Sequence, residues 1–263
     1  METTAYFFSG LNGMPPHLGD ILALLVALES FGKKYNKIYN ITGLLWDEYG
    51  KYSSNLYGDI LSNFDFKYVQ YVDKVEKEIK VDVWYLLRFW DDNCNHFEAM
   101  KHLLEVFFDE QEKVELVFPK CLLLHEPGNY VVVQLDCRGP DRAAQFSLEE
   151  WSRMRSTLIE LGSKIEIRVV GGKDTWEYLG AECNFKYCLG DFNYILKNIF
   201  NAKYIITSVS GISNIVQMSN EMPNMTIFVA NFLYEKTKRQ YYRGTVELME
   251  NFTKEYLWSK FNL

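Results

Sequence analysis

Residues 204–219 read YIITSVSGISNIVQMS. An apolar strand signal meets a helix signal there, through a loop of small residues around Ser210 and Gly211. Such a loop lies at the carboxyl end of a strand and the amino end of a helix, where open α/β sheets bind their ligands. Unpaired N–H groups in a first helical turn, with the dipole behind them, favour an anion. Ser208, Ser210, Ser213 and Asn214 add hydroxyl and amide groups. A tight strand-to-helix turn with a Ser or Asn cap accounts for the same residues without any ligand.

A second constellation is PPHLGDIL at residues 15–22. A strand signal runs into a stiff loop, and His17, Gly19 and Asp20 open an apolar helix. Gly19 lets a ligand approach the main chain. Asp20 stands at the helix mouth, either as a cap or as a carboxylate that takes a proton from a substrate. In the second role one of its oxygens has to stay free.

Two further loops carry suitable groups. Gln134, Arg138 and Arg142 follow an apolar strand signal, and guanidinium groups suit bidentate phosphate contacts. Ion pairs with Asp136 or Asp141 are the alternative. Gly171, Gly172 and Asp174 end another strand, where two glycines admit a ligand and also make a plain turn. Asp91 and Asp92 precede a well-patterned helix, so capping explains them better than metal binding.

Common fingerprints are missing. The chain has no G-x-G-x-x-G, no G-x-x-x-x-G-K-[ST], no G-x-S-x-G and no H-E-x-x-H. Its five cysteines, at 94, 121, 137, 183 and 188, form no paired framework, which favours reduced thiols and a cytoplasmic setting. Cys94-x-His96 and Cys183-x4-Cys188 match no zinc pattern, so no metal site is expected. The first residues show no basic segment leading into a long apolar run, so neither a leader nor a membrane span is expected.

These loops need a scaffold, and 263 residues suffice for two domains. Hydrophobic residues at 48% and charged residues at 24% are globular proportions. A net charge of −7 argues against nucleic acid as a partner. The run KTKRQYYR at 236–243 is the best local basic patch, and a solvated loop accounts for it.

The predicted elements alternate. Strands are expected over 5–9, 37–45, 68–72, 114–118, 130–136, 165–170, 204–207 and 226–230. Residues 81–89 fit either a strand or a helix. Helices are expected over 19–35, from Asp91-Asp92 onward, from a capping box at Ser147 and Glu150, over 174–179, after Asp191 and over 245–261. This alternation implies parallel sheets with crossover helices. The turn-rich stretch 119–128 divides the chain into domains 1–127 and 128–263, with a terminal helix able to return to the first.

With these segments placed, the chain resembles GT-B glycosyltransferases, and within them the heptosyltransferase-like family (glycosyltransferase family 9 type). The likeness rests on LGDIL at 18–22, on VVVQLDCRGPDR with its capped helix, on VVGG at 169–172, and on the order LGDFNYILKNIFNAKYIITSVSGISN. It covers most of residues 130–231 and a piece near 17–35. Val209 stands where the family carries Asp, Asn214 where it carries His, and the usual Lys after the second-domain strand has no clear counterpart.

The resemblance implies an α/β fold of two Rossmann-like domains whose mainly parallel sheets face a central cleft. It implies sugar transfer from a nucleotide-diphosphate sugar to a hydroxyl of a glycan or other acceptor, inverting and without a metal or other cofactor. Asp20 would be the base, with His17 and Gly19 on the acceptor side. Gln134, Arg138, Arg142, Gly171, Gly172, Asp174, Ser208, Ser210, Gly211, Ser213 and Asn214 would hold the donor. A nucleotide-sugar epimerase on the same fold and a non-catalytic binding or scaffold protein derived from it remain alternatives.

Overall fold

The computed structural model describes residues 4–10, 16–43, 45–46, 52–53, 55–88, 94–123, 127–135, 147–171, 179–180, 184–188, 190–208, 210–221, 224–228, 246–249 and 253–261. The chain divides into two compact units. Residues 1–122, 217–221 and 239–241 form the first, and 123–216, 222–238 and 242–263 the second.

The first unit is built on a parallel sheet of β1 (Thr4–Ser9), β2 (Tyr39–Thr42), β5 (Val69–Tyr71) and β6 (Lys77–Asp82), in the order β5-β2-β1-β6. A short antiparallel pair, β3 (Leu45–Trp46) and β4 (Tyr52–Ser53), stands apart from it, followed by helix α2 (Asn55–Asn63). Helix α1 (Leu18–Tyr35) is apolar all round, and every residue from Ile21 to Gly32 is buried. A helix with that pattern needs cover on several sides. The sheet and helix α3 (His96–Phe107) pack against it. Asn36, in the left-handed region at φ 49°, closes α1 by donating its N–H to the Gly32 carbonyl.

Among the described residues, the second unit carries six parallel strands: β7 (Tyr130–Gln134), β8 (Glu166–Val169), β9 (Lys186–Tyr187), β10 (Tyr204–Ser208), β11 (Met225–Phe228) and β12 (Val246–Met249), ordered β12-β11-β10-β7-β8-β9. Every residue of β7 and β10 is buried, as central strands of a doubly covered sheet must be. Helix α4 (Leu148–Gly162) starts at the expected capping box, with both reciprocal bonds between Ser147 and Glu150. Helix α5 (Phe192–Phe200) starts at Asp191, whose side chain accepts the Tyr194 N–H. Trp151, Met154, Leu158 and Leu161 of α4 join Val131, Val133, Ile167 and Ile206 in the core. Helices α6 (Gly211–Met218) and α7 (Lys254–Phe261) complete the order.

Three expectations need correction, and one left open is resolved. Residues 114–118 are not a strand, because their backbone groups are taken elsewhere. The Val117 N–H goes to Ser30 Oγ on α1, and the Val114 N–H goes to Glu105 on α3. The helix expected over 245–261 is two elements. Val246–Met249 pairs with β11, and only Lys254–Phe261 is helical, entered through Thr253. Residues 81–89 resolve into the end of β6 and a 3-10 turn, Val83–Arg88. The cap of α3 is Asn95, whose side chain accepts the Glu98 N–H, and Asp91 and Asp92 lie outside the described residues. The helical piece expected over 174–179 also falls outside them, except for Leu179.

Among the described residues, no helix is long and apolar enough to cross a membrane.

Candidate functional site

Strand order locates one candidate site in each unit. In the first, the chain leaves β1 through α1 to β2 on one side, while β6 lies on the other side of β1. The β1–β6 pair is therefore a topological switch point. Helices leaving it diverge and open a crevice beyond the carboxyl ends of the strands. In the second unit β7 leads through α4 to β8, and β10 returns on the opposite flank of β7, so β7–β10 is the corresponding point.

At the first switch point Asp20 occupies the first turn of α1. It is not the cap. His17 holds that position, with an extended backbone and no side-chain cap bond. An acid in the first turn suits the positive end of the helix dipole. Asp20 Oδ1 lies 3.2 Å from Nε2 of His96, the first residue of α3. The imidazole is buried, whereas the Asp20 side chain keeps 25% exposure. One carboxylate oxygen thus faces protein while the group as a whole still reaches solvent. His17 is exposed, and Gly19 is half-buried beside it.

At the second switch point Gln134 ends β7 and Ser208 ends β10, both buried. Gln134 Oε1 accepts hydrogen bonds from Thr207 Oγ1 at 2.7 Å and Ser210 Oγ at 2.8 Å, which ties the two central strands to the loop. Ser213 Oγ donates to the Ser210 carbonyl at 2.7 Å and accepts the Ser210 N–H at 3.2 Å. Asn214 Nδ2 also donates to the Ser210 carbonyl, at 3.3 Å, and Asn214 Oδ1 is buried with no partner among the described residues.

The hydroxyls that the sequence offers to a ligand are thus largely spent on holding the loop. What the loop presents is backbone. A Ser at the N-cap ordinarily turns its oxygen onto the first-turn N–H groups. Here Ser210 donates to Gln134 instead, and the Gly211 and Ile212 N–H groups have no acceptor among the described residues. Two such donors at the amino end of a helix favour an anion.

Gly171 ends the segment after β8 with φ 135°, a conformation that L side chains rarely adopt. Arg138, Arg142, Gly172 and Asp174 lie outside the described residues, as does Val209. The structure therefore gathers Gln134, Ser208, Ser210, Gly211, Ser213 and Asn214 at one switch point, and His17, Gly19 and Asp20 at the other.

Two residues escaped the sequence reading. In the sequence His96 stands out only beside Cys94, in a spacing that matches no zinc pattern, and nothing local links it to a residue 76 positions earlier. Thr207 reads as one more residue of an apolar strand, yet its hydroxyl shares the Gln134 oxygen.

No family model matches the sequence, and no curated protein sequence matches it. The fold does match solved structures. The E. coli heptosyltransferase WaaC with ADP-2-deoxy-2-fluoro heptose aligns at a TM-score of 0.58 and 10% identity, over 99% of this chain and 100% of that one. The E. coli ADP-heptose LPS heptosyltransferase II gives 0.61 and 11%, over 98% and 97%. A glycosyl transferase of family 9 from Veillonella parvula gives 0.58 and 10%, over 100% and 90%. The architecture is thus GT-B-like, two α/β units with parallel sheets, similar in fold to these heptosyltransferase and family 9 structures.

Proposed function

We propose that this protein transfers a sugar from a nucleotide-diphosphate sugar to an acceptor hydroxyl, with inversion and without a metal. The second unit holds the donor, and the amino end of α6 takes the diphosphate. The first unit supplies the acceptor side and the base, Asp20. In the reaction the acceptor oxygen bonds to the anomeric carbon, and its proton passes to Asp20. The bond from that carbon to the diphosphate oxygen breaks, and its electron pair leaves with the nucleotide diphosphate. N–H donors at the start of α6 stabilise the charge that develops there.

The observation that carries this reading is the pair of N–H groups at Gly211 and Ile212 with no acceptor among the described residues, set at a strand-order switch point on a GT-B-like fold. Arg138, Arg142, Gly172 and Asp174 extend the same donor site in the proposal. The Asp20 exposure supports the acceptor half, since a proton acceptor has to reach its substrate.

The test is turnover of nucleotide-diphosphate sugars in the presence of EDTA, with and without acceptor, by the wild type and Asp20→Asn. General-base loss typically lowers kcat about 10²- to 10⁴-fold, and the affinity for the nucleotide should stay unchanged. Full activity in Asp20→Asn removes that residue from the mechanism. Interconversion of the substrate with no acceptor present identifies an epimerase instead. Calorimetry that finds no nucleotide diphosphate bound at millimolar concentration favours a non-catalytic protein.

A further inference from the structure

Asp20 and His96 belong to different helices, yet their side chains meet at the carboxyl ends of the two strands that define the first switch point. The approach is built from both sides. Asp20 enters in the first turn of α1, and His96 is the first residue of α3. Asn95 fixes where α3 begins by capping the Glu98 N–H, so the imidazole has a set origin. α1 and α3 pack along one another, which fixes the distance between the two starting points. The imidazole is 5% exposed, and the carboxylate 25%. A buried ring of this kind moves little, and a partly exposed carboxylate on a helix end otherwise samples several rotamers.

We propose that His96 is a positioning residue for Asp20. Its Nε2 stands 3.2 Å from Oδ1, at ion-pair distance but outside hydrogen-bond geometry, and occupies that side of the carboxylate so that Oδ2 is presented to the acceptor hydroxyl. This rests on the transferase reading and deepens it, because Asp20 serves as a base only if one oxygen is aimed. His96 touches no substrate. It takes no part in the bond changes written above, and the proton still ends on Asp20. Its contribution is geometric. Misplacing a reacting group by about 1 Å can cost on the order of a hundredfold in rate.

The contact is made by Nε2 and not Nδ1, and this distinguishes two polar variants. The glutamine side-chain nitrogen sits at about the reach of Nε2, and the asparagine nitrogen at about that of Nδ1. His96→Gln therefore keeps a polar nitrogen beside Oδ1, and His96→Asn withdraws it. The experiment compares both with wild type for kcat and for the KM of the nucleotide sugar, with melting temperatures measured on the same samples. His96→Asn should lose about ten- to a hundredfold in kcat with KM unchanged, and His96→Gln should stay within a few-fold of wild type. In an Asp20→Asn background, the Asn substitution should have no further effect.

Several results overturn the proposal. These are a His96→Asn protein that matches wild type, an equal fall in the two variants, and a loss that persists without Asp20. A loss that appears in KM, or that follows the melting temperature in both variants, also rejects it and makes His96 a packing residue. Wild-type protein that turns over no nucleotide sugar overturns the transferase reading itself. Active wild type with an indifferent His96 overturns this inference alone.

Discussion

Gln134 Oε1 accepts the hydrogen bond of Ser210 Oγ at 2.8 Å, so the N-cap hydroxyl of α6 points at the sheet and not at its own helix. Gln134→Leu keeps most of the volume and removes the acceptor. The Thr207 and Ser210 hydroxyls then lose a shared partner, at a cost of about 2 kcal/mol. Ser210 becomes free to turn onto the first-turn N–H groups and compete with an anion. Nucleotide diphosphate binding should weaken about tenfold by calorimetry, equivalent to ~1.4 kcal/mol. Ser210→Ala removes the competitor and should bind within a few-fold of wild type. A Gln134→Leu protein that binds as tightly as wild type would contradict this account of the loop.

Much of this arrangement is legible in residue types, and its limits are physical. The strand-loop-helix at 204–219 shows because apolar periodicity changes there and small residues mark the break. Helix α1 shows because an unbroken apolar run has one stable solution. The β12 strand does not show, because Val246 to Met249 sits before a true helix and its pairing with β11 is a long-range fact. Residues 114–118 fail in the opposite direction. Their composition suits a strand, but Ser30 and Glu105 satisfy two of their N–H groups. The Asp20–His96 contact depends on strand order, since only the return of β6 beside β1 brings α3 against α1. The role of Ser210 also had to be seen, because a serine at that position reads equally as an ordinary cap.

Gly32 is required by contact. A Cβ added there would lie 2.1 Å from Tyr68 Cβ and 2.8 Å from the Lys37 carbonyl oxygen. The Gly32 carbonyl also accepts the Lys37 N–H at 3.0 Å, so that backbone cannot simply retreat. Gly32→Ala should destabilise the protein by about 3 kcal/mol, at the upper end for overpacking. Its gain in helix propensity, ~1 kcal/mol, is too small to offset this. Urea unfolding of the two proteins decides the point, and an unchanged midpoint would refute the contact.

Glu29, one turn earlier on α1, is buried and accepts the Lys67 N–H at 3.0 Å on Oε1 and the Tyr68 N–H at 2.9 Å on Oε2. Burial pushes its carboxyl above the ordinary 4.5, and the two N–H groups offset only part of that shift. Just above pH 4.5 the folded protein therefore keeps a proton that the unfolded chain has released. The contribution of Glu29 is fullest below that pH and declines as pH rises through the raised value. Glu29→Gln does not titrate, and it sets an amide nitrogen against one backbone N–H, costing roughly 1–3 kcal/mol. Wild type should be the more stable, and its advantage should shrink between pH 4.5 and pH 8 when urea midpoints are compared. A gap that widens with pH would reverse the sign and place the folded carboxyl below its ordinary value.

Tyr57 on α2 is fully buried, and its hydroxyl has no hydrogen-bond partner among the described residues. Its ring stacks on Tyr71 of β5, with centroids 5.4 Å apart and planes 17° from parallel. The ring therefore contributes packing, while the oxygen has given up water without gaining a partner among the described residues. Burial raises its pKa well above that of an ordinary phenol, so the group stays neutral and its cost is that of an unpaired hydroxyl. Tyr57→Phe keeps the stacked ring and deletes only that oxygen. It should raise stability by about 1 kcal/mol, a shift of a few degrees in melting temperature. Tyr57→Leu removes the stacked ring and should destabilise. A Phe variant that melts below wild type would show that the hydroxyl has a partner, and a crystal structure would then reveal a bound water at that oxygen.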